Sequence, residues 1–219
     1  MTHPRRPAVI LHALDDATRQ LVLVAAAIAG GSEASTREAL RAAHTAGVPV
    51  AWVEEVVLQS YLFCGFPRAL NAMREWRRIS GASAPADDPR SALAMAPAWA
   101  ADGERACAVV YGEFYERLRR NIAELHPALD AWMIVDGYGK VLSRDGLDLA
   151  RRELCVVAAC AAQEQDRQLH SHLHGAVNAG VAADAVEEVL DLLDPRLPAD
   201  AARRYRLLWR RVRLGSDAA

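Results

Sequence analysis

The chain has 219 residues, of which 52% are hydrophobic, 25% charged and 6% aromatic, and its formal net charge at pH 7 is −2. These values are typical of a soluble globular protein, and the charge balance gives no reason to expect a nucleic acid or an anionic membrane as a partner. Abundant alanine, few aromatic residues and little alternation of β-branched residues favour packed helices over sheet.

The N-terminal region has two arginines, Arg5 and Arg6, followed by a short apolar run. That run breaks at His12, which is too early for a signal peptide. The next apolar segment, Leu21 to Ala29, is about half as long as a bilayer span requires. It therefore predicts a buried helix.

Helices are predicted along most of the chain, with glycine and proline marking their ends. The predicted helices cover residues 17–29, 35–46, 50–64, 68–79, 104–122, 127–135, 147–162, 165–179, 183–193 and 199–212. Residues 80–104, which are rich in Ala, Ser, Pro and Asp, are predicted to form a linker. Residues 136–145 contain Gly137 and Gly139 and predict a turn-rich loop.

The last predicted helix carries six arginines, namely Arg203, Arg204, Arg206, Arg210, Arg211 and Arg213. A patch for nucleic acid is one interpretation of this charge. Tyr205, Leu208, Trp209 and Val212, however, supply an apolar face. The pattern therefore favours a docking helix whose basic side faces solvent.

Residues 17–56 reappear without a gap at residues 150–189, with identical amino acids at 16 of the 40 positions. Such a repeat indicates a duplicated structural unit. We therefore predict an N-terminal repeat at 8–79, a C-terminal repeat at 105–195 and a basic helix and tail at 196–219. On this division the second copy ends at Pro195 and has no counterpart of the segment Tyr61 to Ala72.

The two copies differ where chemistry would lie, because Glu153 and His172 of the second copy are Gln20 and Ala39 in the first. Consecutive helices joined by a short connection pack antiparallel, which can bring a carboxylate and an imidazole together. Such a pair can hold a proton poised near neutral pH. The spacing also fits a structural role for both residues. We expect at most one site per chain, with the first copy as a packing scaffold.

Several short motifs occur together: Arg152-Glu153-Leu154, His172, Gly175-Ala176, Asn178-Ala179-Gly180-Val181 and Glu187-Glu188, preceded by Tyr138 to Arg144, and in the first copy Tyr61 with Gly65 to Ala72. Together they resemble the carboxymuconolactone decarboxylase family, which is related to alkylhydroperoxidase D. The resemblance covers about residues 8–79 and 105–195. It implies an all-α fold, an internally duplicated alkylhydroperoxidase D-like helical bundle, which assembles into a homo-oligomer, here a trimer of two-repeat chains.

In the peroxidase branch of this superfamily, a C-x-x-C pair lies between the Glu and the His. Gln165 and Gln168 stand at those positions here, and Ser32 and Ser35 stand there in the first copy. A thiol peroxidase needs a thiolate nucleophile, so this activity is the disfavoured alternative. The cysteines of this chain are expected to be reduced core residues of a cytoplasmic protein: Cys64, Cys107, Cys155 and Cys160.

The decarboxylase branch keeps the Glu and the His without the cysteines. The resemblance therefore implies a cofactor-free enzyme that acts on a small carboxylated or lactone-like metabolite, with His172 as the proton shuttle and Glu153 as its orienting partner. Arg144 and Arg152 are candidates for binding the substrate carboxylate, since a guanidinium can hold it with two hydrogen bonds. Tyr138 is a candidate hydroxyl donor. A non-catalytic, degenerate member remains a further alternative.

Three histidines in one predicted helix suggest a metal site. His170 and His174 share a helix face, whereas His172 points away. Two histidines without a nearby carboxylate are weak evidence for a metal, so none is expected. The position of His174 is often basic in the family, which implies a role in holding an anion.

Overall fold

The computed structural model describes residues 10–216. Arg5, Arg6, the start of the predicted N-terminal repeat and the end of the predicted tail lie outside the described residues. The α-helices are α1 Asp16–Gly30, α2 Glu33–Thr45, α3 Val50–Ser80, α4 Ala96–Tyr111, α5 Tyr115–Leu125, α6 Pro127–Trp132, α7 Leu149–Ala162, α8 Asp166–Asn178, α9 Ala183–Leu193 and α10 Ala199–Ser216. A π-helix, Met133–Leu142, connects α6 to the loop before α7. The prediction of an all-α fold is confirmed.

The two central helices, α1 and α7, begin in the same way because they are equivalent in the two copies. Asp15 accepts a hydrogen bond from the backbone N–H of Thr18 at 2.7 Å, and Asp148 accepts one from that of Arg151 at 2.9 Å. A side-chain acceptor at this position satisfies one of the free N–H groups of a helix start. Residues Ala150 to Ala161 of α7 are all buried, so this helix forms the centre of the core.

Equivalent positions of the two copies meet where α1 packs against α7. Arg151 Nε donates to Thr18 Oγ1 at 2.8 Å, and these residues stand 133 positions apart, as the copies do. Gly30, at the end of α1, permits a close approach to α7, since a Cβ there would lie 2.4 Å from the carbonyl oxygen of Ala162. The copies are therefore related by an approximate two-fold axis that passes between these helices.

The correspondence between the copies continues through α10. Trp76-Arg77-Arg78 returns as Trp209-Arg210-Arg211 at the same offset, and both tryptophans are buried. The end of α3 therefore corresponds to part of α10. Because Trp76 lies beyond Ala72, this match does not test the expectation that the Tyr61–Ala72 segment has no counterpart in the second copy.

The basic side of α10 faces acidic residues of its neighbours. Arg204 pairs with Asp166, Arg206 with Asp194 and Arg213 with Glu187. The opposite side, which includes Tyr205 and Trp209, is buried. This arrangement is that of a helix docked by its apolar face, as the pattern favours.

The predicted break after Cys64 is confirmed, since Gly65 has φ +78° and ψ 163° in the middle of α3. Only glycine adopts such angles at little cost.

The bounds of α4 differ from the prediction. This helix begins at Ala96, inside the predicted linker, and ends at Tyr111, inside the helix predicted over 104–122. Gly112, with φ +51°, ends it.

The turn-rich loop predicted for residues 136–145 is wrong, because most of this segment belongs to the π-helix. One of its glycines, Gly139, serves close packing against α4. A Cβ at Gly139 would lie 1.8 Å from the carbonyl oxygen of Trp99, and one at Gly103 of α4 would lie 2.1 Å from that of Ile134. Two helices can approach so closely only where one of them has no side chain.

Within residues 10–216, no helix is both long and apolar enough to cross a membrane.

Candidate active site

Glu153 and His172 meet in the interior of the second copy. His172 Nδ1 lies 2.8 Å from Glu153 Oε2, and the exposed fractions of the two residues are 6% and 0%. Gly175, one turn beyond the histidine, makes this contact possible. A Cβ at that position would lie 2.6 Å from Glu153 Oε2. The antiparallel packing of α7 and α8 therefore brings the two residues together, as their spacing suggests.

One oxygen of the carboxylate has no partner. Glu153 Oε1 is buried and makes no hydrogen bond to any other described residue. A buried polar atom without a partner usually costs about 1–3 kcal/mol, and such atoms need an explanation in a native structure. Their concentration at functional sites is one explanation.

Two aromatic rings flank the imidazole of His172. The ring of Phe63, from α3, lies 6.1 Å away at an interplanar angle of 85°, and that of Tyr111, from α4, lies 6.5 Å away at 63°. The expectation that the first copy is only a packing scaffold is therefore incomplete, because its Phe63 forms part of the site. The histidine is therefore flanked by side chains from both copies.

Tyr138, expected as a hydroxyl donor, lies in the π-helix and is fully buried behind Tyr111. The two rings are 6.3 Å apart at 73°. A side-chain hydrogen bond joins the two phenols, and burial raises the pKa of both above the ordinary value of 10. Both are therefore protonated at neutral pH.

The buried cysteines near the pair are not activated thiols. Burial raises the pKa of Cys107 to about 12. Burial, together with the charge of Glu153, raises that of Cys160 to about 12 as well. Burial does the same for Cys155. A thiol with such a pKa is almost wholly protonated at neutral pH and is a poor nucleophile.

Arg144 and Arg152, expected to bind a substrate carboxylate, are instead committed to the protein itself. Arg152 is completely buried and donates to Glu55 at 2.7 Å and to Gln59 at 3.3 Å. Arg144 donates to both oxygens of Glu55 and pairs with Asp88 at 2.8 Å. With these donors engaged, neither guanidinium is free for a ligand, so this expectation does not fit the structure.

His174 lies on the other face of α8, where its ring packs 5.0 Å from that of His170. Burial lowers the pKa of both histidines, which favours their neutral forms and weakens a role in holding an anion. Over the part of the chain that the structure describes, no group of three or more His, Cys, Asp and Glu residues is placed to hold a metal ion.

A cleft of about 650 Å³ opens beside the pair, between the end of α1, α3, α7 and the start of α8. Phe63 and Cys160 belong to its lining and also adjoin the Glu153–His172 pair. Gln165 and Gln168, at the positions of the peroxidase cysteines, line the same cleft. His172 is not among the lining residues, but Phe63, which is, contacts its ring.

Sequence reasoning missed Phe63, Tyr111 and Gly175 as site residues. Cys107 and Tyr111 stand four residues apart in α4, so the sequence places them on one helix face, yet nothing in it says that this face covers the second copy. Phe63 belongs to the copy that lacks the Glu–His pair, so the sequence gives no reason to place it in the site.

The family model described as "Carboxymuconolactone decarboxylase family" matches residues 7–78 and 126–210 of the chain. The chain is also similar to "Peroxisomal protein 2" of Schizosaccharomyces pombe (strain 972 / ATCC 24843), with 28% identity over 138 residues. This similarity covers 61% of the chain and 63% of that relative, so the chain spans less than two thirds of the relative's length.

Proposed function

Because the chain belongs to the carboxymuconolactone decarboxylase family, we propose that it is a cofactor-free enzyme that transfers a proton to or from a small carbonyl metabolite. The reaction is decarboxylation of a lactone carboxylate, or lactone–enol proton transfer. One observation carries the proposal, namely the buried contact of 2.8 Å between His172 Nδ1 and Glu153 Oε2.

In this mechanism Glu153 fixes the tautomer of the imidazole. Because a carboxylate oxygen accepts, Nδ1 carries the hydrogen and Nε2 is left to exchange a proton with the substrate. When Nε2 takes a proton, the adjacent carboxylate stabilises the imidazolium. The same nitrogen then returns the proton at another atom of the substrate.

For decarboxylation, the bond between the ring carbon and the carboxylate breaks and its electron pair passes into the conjugated carbonyl group. Carbon dioxide leaves, and a dienolate remains. The imidazolium of His172 gives its Nε2 proton to a carbon of the dienolate, and a proton from solvent restores the imidazolium. The aromatic surroundings favour this step, because the substrate's charge spreads from a carboxylate to a larger dienolate.

Two alternatives are less well supported. A thiol peroxidase would need reactive cysteines, whereas Gln165 and Gln168 occupy the positions of the dithiol and burial raises the pKa of Cys107 and Cys160 to about 12. A non-catalytic role gives no reason for Glu153 to be buried with one oxygen unpaired.

The test uses carboxymuconolactone as the first substrate, with carbon dioxide release and exchange of ring protons in D₂O as separate readouts. His172→Ala and Glu153→Gln are each expected to lower the rate by about 100-fold or more. The exposed His12→Ala is the matched control. Exchange without carbon dioxide release would restrict the function to proton transfer, and no exchange in the wild type would overturn the proposal.

The trimer expected from the resemblance belongs to the same proposal. Its test is the mass in solution, which should be three times the chain mass of 23.8 kDa.

A further inference from the structure

A groove of about 400 Å³ opens in the first copy, between the start of α2 and the second half of α3. Its apolar part consists of Ile28, Pro67 and Ala72. None of the described residues lines both this groove and the cleft beside the Glu153–His172 pair. The groove is therefore a separate opening, and its volume lies in the range usual for sites that bind small molecules.

The carboxylates that line this groove already have partners. Glu75 accepts hydrogen bonds from Arg37 at 3.3 Å and from Arg78 at 2.6 Å. Glu33 accepts one from Asn71 at 3.2 Å. Both carboxylates are thus engaged, while two further arginines line the same groove.

Those arginines, Arg68 and Arg74, pair with no carboxylate within residues 10–216. Arg68 Nη1 donates to the carbonyl oxygens of Ile28 and Gly31, both at 2.8 Å. These bonds hold the guanidinium at the end of α1 and leave Nε and Nη2 without a partner among the described residues. Arg74 donates to the side-chain oxygen of Asn71 at 3.3 Å. Two guanidiniums without a counter-charge beside apolar side chains favour an anion that has an apolar body.

The second copy has a network of ion pairs at the corresponding place. Asp166 is the equivalent of Glu33, and Arg204 stands 133 positions after Asn71. Arg204 pairs with Asp166 at 3.1 Å and with Glu164 at 3.0 Å. In the second copy the protein itself therefore neutralises the arginine at this place.

The helix end that Arg68 caps does not require a charge. In the second copy the carbonyl oxygen of Ala161, the equivalent of Ile28, accepts a hydrogen bond from the Tyr205 hydroxyl at 3.1 Å. A neutral donor therefore suffices at this position of the fold. The residue that stands 133 positions after Arg68 is Ala201, so the positive charge is a feature of the first copy alone.

We propose that this groove binds a small organic carboxylate, with Arg68 and Arg74 on the carboxylate group and Ile28, Pro67 and Ala72 against its apolar body. Three arginines and two glutamates line the groove. This small excess of positive charge suits a single carboxylate better than a doubly charged phosphate. The inference is independent of the proposed function, because it involves neither Glu153 nor His172.

The probe is benzoate, titrated at low salt into protein whose isoleucine δ1-methyl groups are labelled for NMR. Benzoate is expected to shift the signal of Ile28, which lines the groove, in a saturable manner. The signal of Ile134, which lies in the π-helix, should not move. Benzamide has the same shape without the charge and should bind about tenfold more weakly. Phenyl phosphate should bind no more tightly than benzoate.

Arg68→Gln and Arg74→Gln should each weaken benzoate binding by about tenfold, as expected for hydrogen bonds to a charged group. Glutamine at position 68 can still donate to the carbonyl oxygen of Ile28. Arg74 donates to no backbone atom, so its variant retains the test if Arg68→Gln fails to fold. Arg210→Gln, which removes an exposed charge from α10, is the matched control and should bind benzoate as wild type does.

The proposal is overturned if benzamide binds as tightly as benzoate, if neither arginine variant weakens binding, or if the Ile28 signal does not respond to millimolar benzoate. Tighter binding of phenyl phosphate would overturn the assignment to carboxylates. His172→Ala should leave the response of Ile28 unchanged. Because no readout here depends on turnover, failure of this site and failure of the proposed reaction are distinguishable.

Discussion

Glu55 of the first copy holds Arg152 of the second, with Oε2 of the carboxylate 2.7 Å from Nη2 of the guanidinium. The equivalent residues with the copies exchanged, Glu188 and Arg19, form a pair at 2.6 Å. Each copy therefore supplies the carboxylate for the arginine of the other. The Glu55–Arg152 pair is buried and the Glu188–Arg19 pair is partly exposed. The two pairs should therefore contribute differently to the free energy of unfolding.

The buried pair should make stability depend on pH. Burial alone would raise the pKa of Glu55, but the hydrogen bonds from Arg144 and the charge of Arg152 outweigh it, so that pKa lies below 4.5. The stability that this carboxylate contributes is thus fully present above about pH 4.5. It is lost as the pH falls through the lower, folded-state pKa.

Glu55→Gln is expected to lower the free energy of unfolding at pH 7 by about 3 kcal/mol, because it leaves the buried Arg152 without its counter-charge and Arg144 with Asp88 alone. Its stability should also fall less steeply than that of wild type below pH 4.5. Urea unfolding followed between pH 7 and pH 3 measures both. Glu188→Gln, in the partly exposed pair, should cost only about 1 kcal/mol or less; equal losses would contradict this distinction.

Gly175→Ala should separate Glu153 from His172 without unfolding the chain. The new Cβ would lie 2.6 Å from Glu153 Oε2 and from Val110 Cγ1, and such crowding costs about 1–3 kcal/mol. Nitrogen NMR of labelled histidine should show His172 losing its fixed Nδ1–H tautomer. Gly137→Ala is the control, since a Cβ there meets nothing within 4 Å, and it should leave the tautomer unchanged.

Gly139→Ala tests the explanation given for the π-helix. Its Cβ would be placed 1.8 Å from the carbonyl oxygen of Trp99, and backbone atoms of a packed helix cannot move aside cheaply. We expect a loss of about 3 kcal/mol or more in the free energy of unfolding. If these glycines served a flexible loop instead, the Gly139 variant would be as stable as Gly137→Ala.

The thiols should be unreactive in the folded protein. Burial raises the pKa of Cys107, Cys155 and Cys160 to about 12, whereas Cys64 is only partly buried. Titration with Ellman's reagent at pH 8 should label at most Cys64 in the native state and all four cysteines after unfolding. Rapid labelling of two or more native cysteines would reopen the thiol peroxidase alternative.

The sequence predicts the helices and the Glu153–His172 contact because both follow from short-range patterns. Residues one helix apart, joined by a short connection, have few ways to pack. Whether Arg144 and Arg152 are free to bind a substrate depends on their contacts with Glu55. Glu55 lies 97 positions from Arg152, and no local pattern reveals such a contact. A guanidinium whose partner is so distant in sequence looks free for a substrate.

The glycines show a second limit. Gly137 and Gly139 together predict turns, yet Gly139 permits a close helix crossing, which selects the residue without a side chain just as a turn does. Only the position of Trp99 across the interface reveals this use of Gly139. The extension of the repeat into α10 is hard to see in the sequence for a related reason. Buried positions need only similar apolar volume, and Trp-Arg-Arg is the only run of identical residues there.

Phe63 stands two residues before the kink at Gly65 and packs against a histidine of the opposite copy. A substitution that alters the kink would therefore change which molecules reach His172, although every residue of the second copy stayed the same. We therefore expect the first copy, which lacks the Glu–His pair, to influence access to the histidine of the second copy. Differences in substrate choice among similar chains should be sought near Phe63 as much as beside His172.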